Sequence, residues 1–164
     1  MIITVKNNNT LIFDDFKFKC CVGKYGITNH KVEGDKKTPK GLYQLDNLYF
    51  RKDKFSKLNT RLKTIPITKN MGWCDDIKNK KYNKLIRISN KIKHEKLFRK
   101  DSNYDLMIPI KYNMIRPKLG KGSAIFLHLT KNYKKKTLGC VAIQKKDMLI
   151  LIKLINKKTK IRII

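Results

Sequence analysis

The chain has 164 residues, 41% of them hydrophobic, which is one domain's worth of sequence and too apolar for a disordered tail. It carries 40 Lys+Arg against 12 Asp+Glu, a formal charge of +28, so any partner it meets by charge alone is anionic. No apolar run approaches the ~18–20 residues of a membrane-spanning helix, and the four cysteines (Cys20, Cys21, Cys74 and Cys140) form no CxxC, which argues against a zinc knuckle, a thioredoxin-type pair or a disulfide framework.

The N-terminal part reads as short strands. "MIITVK" and "FKFKCCV" alternate with a period of two, and "NNN" between strand candidates signals a turn. Cys20 and Cys21, adjacent in an extended stretch, should point to opposite faces. A loop-like segment follows, "GKYGITNHKVEGDKKTPKG", and then "GLYQLDNLYF" looks extended. Residues 51–103 are lysine-rich and lack clean periodicity, which predicts loops with one or two short helices. His30 and His94 lie in lysine-rich stretches and are expected to be solvated, and Glu95 is a candidate partner for a basic residue. "DLMIPIKY" and "SAIFLHL" are strand candidates, with Pro109 predicting an edge or a bulge. "KKDMLILIKLINKK" predicts the one amphipathic helix, with Met148, Leu149, Leu151, Ile152 and Ile155 on its apolar face and Asp147 as its cap. "KIRII" closes the chain as a strand. No repeat or linker interrupts residues 1–164, and the class is β-rich α+β.

The charge has two readings. Lysine far outnumbers arginine, the usual bidentate reader of bases and phosphates, and the basic residues are scattered. Lys, Asn and Ile are over-used together, as in chains encoded by AT-rich DNA. A compositional origin therefore competes with a dedicated polyanion surface, and either predicts weak, salt-sensitive contacts with polyanions. The start, "MIITVKNNNTLIF", lacks the basic region, long apolar stretch and small-residue cleavage site of a secretion signal. An internal location, an earlier start and another export route stay open on that reading.

Chemistry concentrates near the C-terminus. His128 lies in one apolar run, "GSAIFLHL", and Cys140 opens another, "GCVAI", after a basic loop. A cysteine attacks as its thiolate, and a free thiol with a pKa of about 8.5 is mostly protonated at neutral pH. A histidine within reach can take that proton and return it to a leaving group, worth about 10²–10⁴ in rate. Gly139 lets the backbone bend or a substrate come close, and backbone N–H groups around Gly139 and Cys140 could face a developing oxyanion. The residues alone equally allow a buried strand cysteine and a satisfied core histidine. "LGKGS" at 119–123 lacks the spacing of a phosphate loop. Its glycines are expected to steer the chain into the His128 strand, with Ser123 near the site.

Two blocks carry a resemblance. "HLTKNYKKKTLGCVAI" resembles the signature of the L,D-transpeptidase (YkuD-type) catalytic domain, an upstream His followed by Ser/Thr-x-Gly-Cys and an aliphatic residue. These fall on His128, Thr137, Gly139, Cys140 and Val141. "GDKKTPKGLY" resembles the family's second block, on Gly34, Asp35, Thr38, Pro39, Gly41 and Tyr43. "MGWCDD", "HEKLFRKDSNYDL" and "GKGSAIFLH" are similar to one branch of the family. Leu138 and Ala142 depart from the residues many members carry beside the cysteine, a difference that bears on the donor pocket.

The resemblance implies a single domain over residues 1–164, with a mixed, curved sheet sandwich and one or two short helices. It implies peptidoglycan stem peptides as partners, a cell-envelope or periplasmic place of work, and no metal or organic cofactor. Cys140 would be the nucleophile and His128 its base and then acid, with Gly139 and Thr137 at the oxyanion backbone. Asp35, Thr38 and Pro39 are expected to build a structural turn beside the site. Trp73, with Asp75 and Asp76, is a candidate lining of the peptide groove. A small-core tryptophan with solvated aspartates is the competing reading. Tyr82, Asn83, Tyr104 and Ser123 complete the candidate binding residues. Transfer to an amine would make a cross-link, and transfer to water would make a carboxypeptidase. A non-catalytic basic module remains the third reading.

Overall fold

The computed structural model describes all 164 residues. In chain order the elements are β1 (Ile2–Lys6), β2 (Thr10–Phe13), β3 (Phe16–Lys19), β4 (Ile27–Thr28), β5 (Thr38–Pro39), β6 (Gly41–Gln44), β7 (Leu48–Phe50), β8 (Thr64–Pro66), β9 (Met71–Cys74), β10 (Leu85–Arg87), β11 (His94–Lys96), β12 (Leu106–Pro109), β13 (Phe126–Leu129), β14 (Val141–Ile143), α1 (Lys145–Leu154) and β15 (Lys160–Ile163). The expected β-rich α+β class holds, with one helix.

Two five-stranded mixed sheets dominate. The first runs β3-β2-β1-β15-β6 and the second β14-β13-β12-β7-β8. In the first, β1 pairs parallel with β15, joining the two ends of the chain, while the "NNN" turn makes β1–β2 an antiparallel hairpin. "GLYQLDNLYF" is extended, as its residues suggest, but it splits between the sheets as β6 and β7. In the second sheet β13 pairs antiparallel with β12 and parallel with β14.

Strands β12, β13 and β14 are buried at every position. Their apolar runs are continuous rather than alternating because both faces of this sheet are covered. One face joins a 25-residue cluster. Leu106, Ile108, Leu127, Leu129, Val141 and Ile143 meet Ile3, Val5, Leu11, Phe13, Ile161 and Ile163 of the first sheet and Met148, Leu151 and Ile152 of α1. The other face meets a smaller cluster in which Tyr49, Met107, Phe126 and Cys140 pack with Trp73 and Leu97. Trp73 belongs to a three-stranded sheet, β10-β9-β11.

Several expectations need correction. Residues 51–103 contain no helix but the short strands β8 to β11, strung between turns. Their three- and four-residue lengths are too brief to register as periodicity. Pro109 is not at an edge, and the pairing of β12 with residues 45–50 slips by one residue across it, as at a bulge. It ends the interior strand β12 opposite Phe126, where its carbonyl accepts the Asp46 N–H at 2.9 Å. Asp147 does not cap α1. Gln144 holds the N-cap position without a side-chain cap, and Asp147 sits in the first turn, accepting the Tyr133 hydroxyl at 3.2 Å. His94 is half-buried in β11, with Nδ1 2.6 Å from the Ile92 carbonyl. Cys20 and Cys21 diverge as expected. Cys20 enters the large cluster, while the Cys21 thiol donates to the Tyr133 carbonyl at 3.4 Å. All four cysteines are free and buried.

Candidate active site

The register of β13 and β14 places the two candidate groups. Leu127 pairs with Val141 and His128 with Ala142, so Cys140 lies beside Phe126. Alternation along the strands then puts Phe126, His128 and Cys140 on one face, the face of the smaller cluster. His128 and Cys140 are diagonal neighbours there, a relation that long and aromatic side chains span. No hydrogen bond joins them. The thiol donates to the Ala124 carbonyl at 3.2 Å and lies 3.4 Å from the Phe126 N–H. His128 Nδ1 lies 2.8 Å from the Leu129 carbonyl. A nitrogen facing a carbonyl carries the proton, which leaves Nε2 as the basic nitrogen.

Both groups are buried, at 8% exposure for Cys140 and 7% for His128. Burial pushes the Cys140 thiol up to about 12, and the nearby Glu95 adds to the rise. Burial also pushes His128 down to about 4, against the carbonyls of Leu129 and Asn103, which favour its charged form. At neutral pH the pair is therefore a neutral thiol beside a neutral imidazole, not a preformed ion pair. A cavity of about 470 Å³ opens along His30, Lys31, Tyr43, Tyr112, Lys118 and Lys121, and neither group lines it.

The turn before Cys140 is built by Thr137 and Gly139. The Thr137 hydroxyl donates to the Cys140 carbonyl at 2.6 Å and accepts the Gly139 N–H at 3.2 Å. Gly139 has φ +141°, and a Cβ there would stand 3.0 Å from the Lys37 carbonyl oxygen, so a side chain would meet both strain and backbone. The Gly139 N–H is thus spent on Thr137, whereas the Cys140 N–H makes no hydrogen bond within the protein.

The second sequence block packs against the first. Asp35 accepts the Lys31 ammonium at 2.6 Å and the N–H groups of Lys37 and Val32 at 2.8 and 2.9 Å. These partners outweigh the desolvation of Asp35 and hold its carboxyl below the usual carboxylate range. Thr38, fully buried, accepts the Gly23 N–H at 2.8 Å, and Gly23 in turn bridges Thr137. Asp35 builds the expected turn, whereas Thr38 and Pro39 are strand β5, paired with β4, and together they buttress the Cys140 loop.

The candidate binding residues are mostly framework. Trp73 lines no groove. It is 2% exposed, its indole donates to Asn83 Oδ1 at 2.9 Å, and its ring meets Phe126 edge-on at 5.2 Å. Asn83, buried and with φ +56°, accepts also from the Ala124 N–H at 3.0 Å and donates to the carbonyls of Tyr112 and Asn113 at 3.0 and 2.7 Å. Both polar atoms of the Asn83 side chain are engaged, and it fixes Ala124, the residue whose carbonyl accepts the thiol hydrogen bond. Tyr82 is fully buried and donates to Glu33, which also accepts the Ser123 hydroxyl at 2.7 Å. Asp76 accepts the Lys78 N–H at 3.0 Å within a local turn. Asp75 alone has a buried oxygen, Oδ1, without a partner.

Sequence reasoning missed Glu33 and Arg99. Glu33 gathers Tyr82 and Ser123, and Arg99 pairs with Glu95 at 3.5 Å, the basic partner expected for Glu95. The signal of Glu33 is only three-dimensional, since both its side-chain partners are at least 49 positions away, whereas the four-residue spacing of Glu95 and Arg99 was open to the sequence. No helix is long and apolar enough to cross a membrane.

Comparison with known proteins agrees with this architecture. Residues 1–163 match YkuD, the L,D-transpeptidase catalytic domain. Comparison with curated proteins finds no match. Among solved structures, the chain is similar to the helical cell shape determining protein Pgp2 from Campylobacter jejuni. The TM-score is 0.54 at 17% identity, over 99% of this chain and 46% of that one. It is also similar to Bd1075 of Bdellovibrio bacteriovorus, with TM-score 0.55 at 17% identity over 99% of this chain and 47% of that one. At such identity these structures speak for the fold, and the chain spans about half the length of each.

Proposed function

Because the chain belongs to the YkuD family of L,D-transpeptidase catalytic domains, we propose that it transfers acyl groups of peptidoglycan stem peptides through a thioester on Cys140. The observation that carries this reading is the shared face of Cys140 and His128, with a tethered thiol and an unspent N–H at Cys140. In the first step the Cys140 sulfur attacks the carbonyl carbon at the L-centre of diaminopimelate, and its proton passes to Nε2 of His128. The oxyanion that forms faces the Cys140 N–H, the donor the Thr137 turn leaves free. Collapse breaks the C–N bond, and His128 gives its proton to the departing D-amino acid. In the second step an amine of a neighbouring stem attacks the thioester, a new amide forms and the thiol returns. Water in place of the amine yields a shortened stem.

The protonated resting thiol has a consequence. With Cys140 near 12 and His128 near 4, proton transfer must accompany attack rather than precede it. Burial of both groups means that a stem peptide displaces the side chains over the sulfur before it reacts. A peptidoglycan substrate places this work in the cell envelope, where the charge of +28 adds weak, salt-sensitive attraction to anionic polymers.

The test is covalent labelling with a carbapenem, a β-lactam that acylates such cysteines. Intact-mass measurement should show one adduct on the native chain, also on Cys20→Ala and Cys74→Ala, and none on Cys140→Ala. An adduct persisting on Cys140→Ala rejects the assignment. Digestion of purified peptidoglycan then separates the acceptors, since cross-linked dimers accumulate with amine and shortened monomers with water. Salt-sensitive polyanion binding that ignores Cys140, with no adduct at all, favours the non-catalytic module.

A further inference from the structure

Tyr104 was expected among substrate-binding residues, yet it is 5% exposed and its contacts all belong to the protein. Its ring stands 5.2 Å from the His128 ring at an interplanar angle of 76°. Phe126 meets the same ring at 5.6 Å and 89°, and the Arg99 guanidinium lies over it 5.0 Å from the centroid. The phenol donates to Glu95 Oε1, and Arg99 pairs with that same oxygen at 3.5 Å. Arg99 is anchored in turn on both oxygens of Asp101, with Nε at 3.0 and 3.2 Å. Asp101 accepts the Asn103 N–H at 3.2 Å, and the Asn103 carbonyl accepts the Leu129 N–H at 2.9 Å. Residues 99–104 therefore form a strap that begins on the ring beside His128 and ends on the backbone of the next residue.

We propose that Tyr104 is a positioning residue for His128: its phenol, tied to Glu95, holds its ring against the imidazole and so fixes the plane of that imidazole on the face it shares with Cys140. An imidazole held at its edge by the carbonyls of Leu129 and Asn103 keeps freedom to rock about those contacts. A ring packed across it at 76° removes that freedom. Glu95 and Arg99 hold Tyr104 in place, and the Glu95 charge also favours the neutral Cys140 thiol. This inference rests on the acyl-transfer reading for its kinetic consequence, though not for its geometry.

The chain has three histidines, so the nitrogen shifts of His128 are readily assigned by NMR on ¹⁵N-histidine-labelled protein at pH 7. The native protein should show well-separated Nδ1 and Nε2 shifts, the mark of one tautomer. In Tyr104→Leu the two shifts should converge. Turnover of stem peptides should fall in kcat by about 30- to 100-fold with KM within about two-fold, as expected for a displaced catalytic group. Tyr104→Phe, which keeps the ring and loses the tie, should give a smaller separation and a loss in kcat of about three- to ten-fold. A purely structural role predicts losses that track the unfolded fraction, with native shifts in the folded remainder. Folded Tyr104→Leu with native shift separation and native kcat overturns the proposal. Should that variant not fold, the same result in Tyr104→Phe does so. The NMR readout needs no turnover, so converged shifts in a chain whose native form lacks activity would sink the functional reading and leave this one standing.

Discussion

The two faces of the central sheet differ in what they bury. Toward the first sheet and α1, the strands present Leu127, Leu129, Val141 and Ile143 into an entirely apolar cluster. Toward the three-stranded sheet, the same strands present His128 and Cys140 among aromatic rings, with Glu95 and Asn83 behind them. Neighbouring residues in one strand thus serve opposite ends, because a period of two assigns alternate positions to alternate faces. One face supplies folding free energy through burial, and the other holds polar chemistry in a dry setting made tolerable by hydrogen bonds.

The largest expected contrast comes from adjacent positions on opposite faces. Cys140→Ala should remove stem-peptide turnover altogether while leaving the urea midpoint within about 1 kcal/mol of native, since it deletes one small group. Leu127→Ala should do the reverse. It empties space in the large cluster and should cost about 2–5 kcal/mol in equilibrium unfolding, with carbapenem labelling of the folded fraction unchanged. Equal effects of the two on stability would dissolve the distinction between the faces.

A smaller effect follows from His128. Its folded pKa is depressed to about 4 from an ordinary 6.5, so the unfolded chain takes up the proton first. Between those values the unfolded state binds more protons, and stability falls as pH drops from about 6.5 to about 4, then levels off. The shift of about 2.5 units corresponds to about 3 kcal/mol. Urea unfolding of the native chain and of His128→Gln at pH 7, 5.5 and 4 checks it. The acid loss shared by both chains, including that from Asp35, cancels in the difference, so the difference should shrink by about that amount across the window. Parallel curves would show that His128 titrates normally.

The legible part of the molecule is the part where side-chain type dictates backbone. The "NNN" turn, the continuous apolar runs of β12 to β14 and the α1 stripe of Met148, Leu151 and Ile152 are all visible in the residues. So is the Asp35 turn, because its carboxylate bonds the nearby N–H groups of Val32 and Lys37. The fold between 51 and 103 was not legible, since β8 to β11 are held by partners such as Trp73 opposite Leu85 and Glu95 rather than by pattern. The shared face of Cys140 and His128 was legible from their places in the two apolar runs, and the side chains around them were opaque. For Trp73, Asn83 and Tyr82 the residues left binding and framework roles both open, because a polar, lysine-rich neighbourhood hides that their partners lie across the fold, at Phe126, Ala124 and Gly122.

The gentlest change sharpens the comparison from the apolar side. Gln144 occupies the N-cap of α1 with extended dihedrals, φ −69° and ψ 154°, and its side chain caps nothing. The geometry suits a short hydroxyl, which would accept an N–H of the first turn, and Asp147 three residues on already suits the positive end of the helix dipole. Gln144→Ser should therefore stabilise by about 0.5–1 kcal/mol and raise Tm by about 1–4 °C for a chain of this size. The buried residues of α1 all belong to the large cluster, so the gain should reach only that face. Scanning calorimetry should record the shift while carbapenem labelling of Cys140 keeps its native rate. A changed labelling rate would mean that the two faces are mechanically coupled through β13, the strand that α1 packs against.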